Sequence, residues 1–199
     1  DVLTTADNVA TLRAVVRTIA HRHGLHATFM PKPIFGINGS GMHTHQSLFR
    51  DGENAFYDPK GRYQLSDVAL HYIGGLLAHA RGYTAITSPL VNSYKRISSN
   101  DLAPVLAGWS ENNRSAMIRV PSWRGMDTRV ILRSPDTASN PYLVMSTALQ
   151  AGMDGIKRNL PLPEALSEDI PPQEIRRVIR EKGLPRQLES ALKALHGDR

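Results

Sequence analysis

Lys32-Pro33-Ile34-Phe35-Gly36-Ile37-Asn38-Gly39-Ser40-Gly41-Met42-His43-Thr44-His45-Gln46-Ser47 carries a small Asn-Gly-Ser-Gly turn straight into two histidines one residue apart. Glycine lets the backbone take positive φ and lets a ligand approach the main chain closely. If the segment after Gly41 is extended, its side chains alternate between faces. His43, His45 and Ser47 then share one face. Such a face can hold a metal and a phosphate side by side. A glycine-rich hairpin with two surface histidines accounts for the same residues, so the rest of the chain must decide.

Arginine is the next signal. From Lys95 to Arg133 there are six arginines, Arg96, Arg114, Arg119, Arg124, Arg129 and Arg133. They are dispersed, and they fall in short blocks. Asn92-Ser93-Tyr94-Lys95-Arg96 is one, and Asn113-Arg114-Ser115-Ala116-Met117-Ile118-Arg119-Val120-Pro121 is another. A third is Arg133-Ser134-Pro135-Asp136, followed by Asn140-Pro141-Tyr142-Leu143. Arginine at separated, fixed positions suits bidentate capture of phosphate or carboxylate. A solvated basic surface that neutralises acidic neighbours is the plainer account of the same residues.

The 199 residues suffice for one domain with a sizeable core. A hydrophobic content of 41% and a charged content of 21% are those of a soluble globular chain. No apolar run approaches the roughly 18 residues of a membrane span. With no cysteine, a disulfide framework and thiolate metal sites are excluded. The net charge of +6 admits anionic partners. No nucleic-acid motif accompanies it, so neither nucleic acid nor membrane is expected as a partner. The expected location is the cytoplasm.

Periodicity predicts a helix over residues 7–22, capped by Asp7, with Val9, Leu12, Val16 and Ile19 recurring at helical spacing. Residues 26–31 and 42–49 read as strands, and Asp51-Gly52-Glu53-Asn54 as a turn. Ser66 and Asp67 open a helix through Arg81, carrying His71 and His79 as surface or packing residues. Residues 83–110 read as loop-rich. Residues 115–120 and 128–134 read as strands, flanked by Trp109 and Trp123 as core or rim anchors. Asn140-Pro141 starts a helix to about residue 159. Four prolines in residues 160–172 mark a linker, and short helices follow at 173–182 and 185–196. The elements lack a βαβ rhythm, which predicts an α+β fold with an antiparallel sheet flanked by helices.

Taken whole, K-P-I-F-G-I-N-G-S-G-M-H-x-x-x-S resembles the nucleotide-binding signature of the glutamine synthetase family, and the three arginine blocks agree with it in order and spacing. The resemblance implies part of that family's catalytic domain over residues 1–160. Residues 161–199 are then a proline-rich linker and short helices, the C-terminal part of the same domain. It implies that the chain is the interior of a longer protein, inactive as this segment alone, and that the intact protein forms a homo-oligomeric ring. It implies ATP and Mg²⁺ or Mn²⁺ as cofactors, with glutamate and ammonia or another amine as substrates. His43 would be a metal ligand. His45, Ser47, Arg114, Arg119 and Arg129 would contact the nucleotide. Asn38, Gly39, Arg96 and Arg133 would border glutamate, and Arg114 and Arg133 would serve the reaction itself.

The sequence departs from the family pattern twice. The family carries R-x-E-x-R where this chain reads Arg129-Val130-Ile131-Leu132-Arg133, so Ile131 replaces a metal-binding glutamate. The family also carries glutamate before Ala-Pro, where this chain reads Asp101-Leu102-Ala103-Pro104. Leu102 thereby replaces the residue that handles ammonium. Three functions stay open: ATP-dependent glutamine formation, a γ-glutamyl-amine ligase with another acceptor, and a non-catalytic binding or scaffold relative.

Overall fold

The computed structural model describes residues 1–98, 106–113, 115–167 and 172–198. The chain opens with α1 (Val2–Arg22), which starts five residues before the expected position because Asp1, and not Asp7, caps it. Asp1 Oδ1 accepts the Thr4 N–H at 2.9 Å. Asp7 lies inside the helix and accepts a hydrogen bond from the Tyr142 hydroxyl at 2.6 Å. Gly24 ends the helix at φ +68°, a conformation that suits glycine. Leu12, Val16 and Ile19 are exposed, so the predicted apolar face of α1 is not covered.

Residues 26–31 form no strand. Pro31 and Pro33 lack the N–H that a ladder needs. Instead Asn92 clamps Lys32, accepting its N–H at 2.7 Å and donating to its carbonyl at 2.9 Å. The glycine turn then delivers β1 (Thr44–Gln46). β2 (Phe49–Arg50) and β3 (Glu53–Asn54) form a hairpin whose turn residues, Asp51 and Gly52, both have positive φ.

The helix expected from Ser66 to Arg81 is two helices, α2 (Asp67–Ala78) and α3 (Ala80–Thr87), broken at His79. Ser66 caps the first, accepting from Ala69 N at 3.2 Å. Within the stretch expected to be loop, α3 continues to Thr87 and α4 (Val91–Ser98) follows Pro89. Then come β4 (Leu106–Ser110), β5 (Ala116–Arg119) and β6 (Val130–Leu132). Asn140 accepts the N–H groups of Tyr142 and Leu143, and so starts α5 (Pro141–Arg158). α6 (Pro172–Lys182) and α7 (Leu188–Gly197) close the chain.

The result is α+β, with a sheet in the order β1-β6-β5-β4. β1, β6 and β5 pair antiparallel as expected, but β4 runs parallel to β5. The chain turns back after β4 because Ser110 Oγ accepts the N–H groups of Asn112 and Asn113, and Asn113 Oδ1 accepts that of Ser115. The proline-rich segment after α5 packs on β4: Trp109 donates its indole N–H to the Pro163 carbonyl at 2.7 Å.

The core lies between the sheet and the α2–α5 pair, around Tyr72, Ile73, Leu76, Trp109, Ile118 and Leu132. Glycine sets that helix contact. A Cβ at Gly75 would meet the Ala151 carbonyl oxygen at 2.1 Å, and one at Gly155 would meet that of His71 at 2.2 Å. Either helix bearing a larger residue there would lift off the other and tilt the sheet it supports.

Candidate active site

Strand register assembles the site. His45 lies opposite Ile131, and Ile131 lies opposite Arg119, so these three form one row across β1, β6 and β5. Side chains alternate along a strand, so Arg129 and Arg133 share the face of Ile131, and His43 shares that of His45. The opposite face, with Thr44, Val130, Leu132 and Ile118, is buried in the core. One side of a small sheet therefore presents two imidazoles and three guanidiniums around a single isoleucine, which is 6% exposed. His43, His45 and Ser47 also line a cleft of about 570 Å³ along the β1 edge, together with Thr44, Gln46 and Tyr72.

The electrostatics follow from that company. Desolvation, then the charges of Arg133 and Arg96, then His45, pull the His43 pKa down to about 4. Desolvation, then Arg129 and Arg119, pull His45 below the ordinary imidazole range. Both rings are thus held neutral at physiological pH, with lone pairs free to accept or to ligate.

The arginines are each fixed by backbone. Arg119 Nε donates to the Glu111 carbonyl at 3.2 Å. Arg129 Nε donates to the Asp127 carbonyl at 3.2 Å, and its guanidinium lies 4.6 Å from the centroid of the Trp123 ring. Arg133 Nη1 donates to the Ala116 carbonyl at 3.1 Å. Arg96 comes from α4, is 4% exposed, and donates to the carbonyls of Ser134 at 2.9 Å and Arg133 at 3.2 Å. Fixed guanidiniums lose little freedom on meeting an anion.

The glycine turn packs on Arg96. A Cβ at Gly41 would lie 2.5 Å from Arg96 Nη2, and one at Gly39 would lie 2.3 Å from the Pro31 carbonyl oxygen. Ser40 N–H donates to that same carbonyl at 2.8 Å, and Lys32 Nζ donates to the Ile37 carbonyl. Asn38 sits in this turn, exposed. The structure therefore brings Gly39, Arg96, Arg133, His43, His45, Arg119 and Arg129 to one region. Arg114, Asp101 and Leu102 lie outside the described residues.

A divalent cation is only partly provided for. The neutral His43 ring suits Mn²⁺. Yet its named electrostatic neighbours are Arg133, Arg96 and His45, and no group of three or more His, Cys, Asp or Glu gathers among the described residues. These residues do not make a cation site by themselves.

Sequence reasoning passed over two acidic features. Asp136 is fully buried, and only its place in the Arg133–Asp136 block singled it out. His79, expected as an ordinary helix residue, sits between two carboxylates, at 3.0 Å from Asp154 Oδ2 and 2.7 Å from Asp198 Oδ1. No local pattern signals this, since its partners are 75 and 119 residues away. His71 packs as expected, its Nδ1 lying 2.9 Å from the Leu160 carbonyl oxygen. Trp109 is a core residue and Trp123 a rim residue.

A strand face with neutral imidazoles and anchored guanidiniums has the chemistry to receive anionic groups such as phosphate and carboxylate. More narrowly, this chain belongs to the glutamine synthetase family: residues 1–199 match its catalytic domain. Glutamine synthetase from Thermus thermophilus is 56% identical over 200 residues, covering 100% of this chain and 45% of the relative. That from Clostridium saccharobutylicum is 59% identical over 170 residues, covering 85% and 38%. A solved structure of apo GmaS without ligand superposes with a TM-score of 0.85 at 40% identity, covering 100% of this chain and 45% of that one. The chain thus spans less than half the length of these relatives.

Proposed function

We propose that the intact protein is an ATP-dependent carbon–nitrogen ligase. The γ-phosphoryl of ATP passes to a side-chain carboxylate oxygen of glutamate, releasing ADP. Ammonia or another amine then attacks the acyl phosphate, expelling inorganic phosphate and one proton and leaving an amide. The observation that carries this reading is the row His45–Ile131–Arg119 flanked by Arg129 and Arg133. Phosphoryl transfer is mostly positioning plus neutralisation of spread negative charge, which anchored guanidiniums supply. His45, Ser47, Arg119, Arg129 and Arg114 are assigned to the nucleotide, and Asn38, Gly39, Arg96 and Arg133 to glutamate. His43 would be one ligand of a Mg²⁺ or Mn²⁺ whose remaining ligands are not among the described residues. Such an ion neutralises phosphate charge when bound.

One observation favours an acceptor other than ammonia. Ile131 puts an apolar side chain at the centre of the cationic row, where R-x-E-x-R would put a carboxylate. Leu102 makes a second such exchange in sequence. The reading extends to a cytoplasmic, homo-oligomeric ring, for which exposed Leu12, Val16 and Ile19 and the 97% exposed Phe35 supply apolar contact surface. No described helix is long and apolar enough to cross a membrane. The test is phosphate release by the full-length protein with ATP, glutamate and a panel of amines. Release that requires both glutamate and amine is expected. ATP binding without any turnover would favour a scaffold instead.

A further inference from the structure

Residues 120–129 join β5 to β6, and this loop is tied down along its length. Arg124 is its internal anchor. Its Nε donates to the Tyr63 carbonyl at 2.9 Å, its Nη2 to Glu111 Oε1 at 3.0 Å, and its Nη1 to the carbonyls of Pro121 and Trp123. From β3, Asn54 Nδ2 donates to the carbonyls of Met126 at 3.0 Å and Thr128 at 2.8 Å. The carbonyl that receives Arg124 Nε belongs to a tyrosine at φ 59°, a backbone conformation that carries a cost without glycine. A loop whose only task were to join two strands would not need such anchoring.

What the anchoring fixes is Trp123. Its indole is 56% exposed, whereas tryptophan is on average highly buried. The ring is put to use: the Arg129 guanidinium carbon lies 4.6 Å from its centroid, within cation–π range. The other restraint on Arg129 is the hydrogen bond from Nε to the Asp127 carbonyl at 3.2 Å. Without the indole, this long side chain has another place to go, because Asp127 Oδ1 lies only 3.8 Å from Nη2. A guanidinium collapsed onto that carboxylate would be neutralised and lost to the face that bears His45 and Ile131. An aromatic face attracts the cation without taking up its in-plane N–H donors, so a stacked guanidinium still has donors for an anion.

We propose that Trp123 is a positioning residue: stacked on Arg129, its indole keeps that guanidinium on the cationic face with N–H donors free for the phosphates of the nucleotide. The role rests on the assignment of Arg129 to the nucleotide, and its test reads binding apart from turnover. Five full-length proteins are titrated with ATP and Mg²⁺ by calorimetry: wild type, Trp123→Leu, Trp123→Phe, Arg129→Met, and Trp123→Leu combined with Arg129→Met. Trp123→Leu should raise the Kd for ATP about fivefold, the order of one partly shielded cation–π contact. Trp123→Phe should stay nearer wild type, because a phenyl face also attracts a guanidinium. In the Arg129→Met background, Trp123→Leu should cost less than about twofold more, since residues that act through one another are not additive. At saturating ATP, kcat/KM for glutamate should be unchanged in Trp123→Leu, as should the thermal midpoint and the mass of the assembly.

Wild-type affinity in Trp123→Leu, or an equal loss in Trp123→Phe, would overturn the role. A loss that persists undiminished in the Arg129→Met background would mean that the indole touches the nucleotide itself, and would overturn it too. A smaller assembly in Trp123→Leu would make the indole a subunit contact instead. If the wild type binds ATP but releases no phosphate with glutamate and amine, the ligase reading fails, and the affinities still decide the role of Trp123. If the wild type binds no ATP, both fall. Should Trp123→Leu not fold, Trp123→Gln replaces it, with the same expected loss, because it too lacks an aromatic face.

Discussion

His43 sits where guanidiniums converge, whereas His79 sits between two carboxylates. On the sheet face, Arg133 and Arg96 join desolvation to drive the His43 pKa to about 4. At the α2–α3 break, burial also works against the charged ring, but the hydrogen bonds that Asp154 and Asp198 accept from it, with their charges, outweigh burial, and the His79 pKa is raised. One ring is kept neutral and available to a ligand. The other is biased toward its charged form and engaged by structure, joining α5 and the end of α7 to the helix break. Asp154 is shared further with Arg158 at 3.1 Å. A histidine's chemistry is thus set by charges brought from distant segments, and a sequence motif is informative only when it also fixes those neighbours.

The contrast predicts what a carboxylate would do on the cationic face. Ile131→Glu with Leu102→Glu in the full-length protein should raise ammonia-dependent amide formation, because a positioned proton acceptor typically contributes about 10²–10⁴ in rate. Wild type and variant are assayed side by side with ammonia. An unchanged ammonia rate would show that the exchange of glutamate for isoleucine and leucine does not set the acceptor.

The opposite manipulation removes the imidazole between the carboxylates. His79→Ala leaves Asp154 and Asp198 without their shared donor and should lower stability by untying α5 and the end of α7 from the helix break. Chemical denaturation should show that loss with little change in nucleotide binding, since His79 is remote from the row. Gly82→Ala should damage the same clamp by another route, because its Cβ would lie 2.1 Å from Asp198 Oδ2. Wild-type stability in both variants would mean the clamp is incidental.

The smallest effect is a pair of opposed pH dependences. The His79 pKa is raised on folding, so its contribution is complete below the unfolded value of 6.5 and is lost as pH rises through the folded value. The groups that face it are Asp154 and Arg158 from α5, Asp198 at the end of α7, and Tyr83 in the same recess. His43 is depressed on folding, so the unfolded chain binds the proton first. Its contribution is lost as pH falls from 6.5 toward about 4. Imidazole NMR titration should separate the two rings in opposite directions from 6.5. Coincident titrations would refute the contrast.

Much of the site was legible because it is carried by local spacing. The alternation of His43, His45, Arg129, Ile131 and Arg133 is a property of extended chain, and register needs only one pairing to place them on a common face. Helix α5 was legible from Asn140-Pro141, a cap and a first-turn proline. What stayed hidden is tertiary. The Ala80–Thr87 and Val91–Ser98 helices carry Thr, Ser and Gly, residues of modest helix propensity, and are held by burial of Tyr83, Tyr94 and Ile97. The α2–α3 break depends on aspartates from α5 and the end of α7. The parallel pairing of β4 depends on serine and asparagine side chains that turn the chain back.

The central claim is that the cationic face activates a carboxylate by phosphorylation. Its most direct test is isotope transfer in the full-length protein, using glutamate labelled with heavy oxygen in the side-chain carboxylate, together with ATP and an accepted amine. An acyl phosphate intermediate requires one labelled oxygen to leave with inorganic phosphate when the amine attacks, and that transfer is predicted. Phosphate released without label, or released equally well in the absence of glutamate, would contradict it.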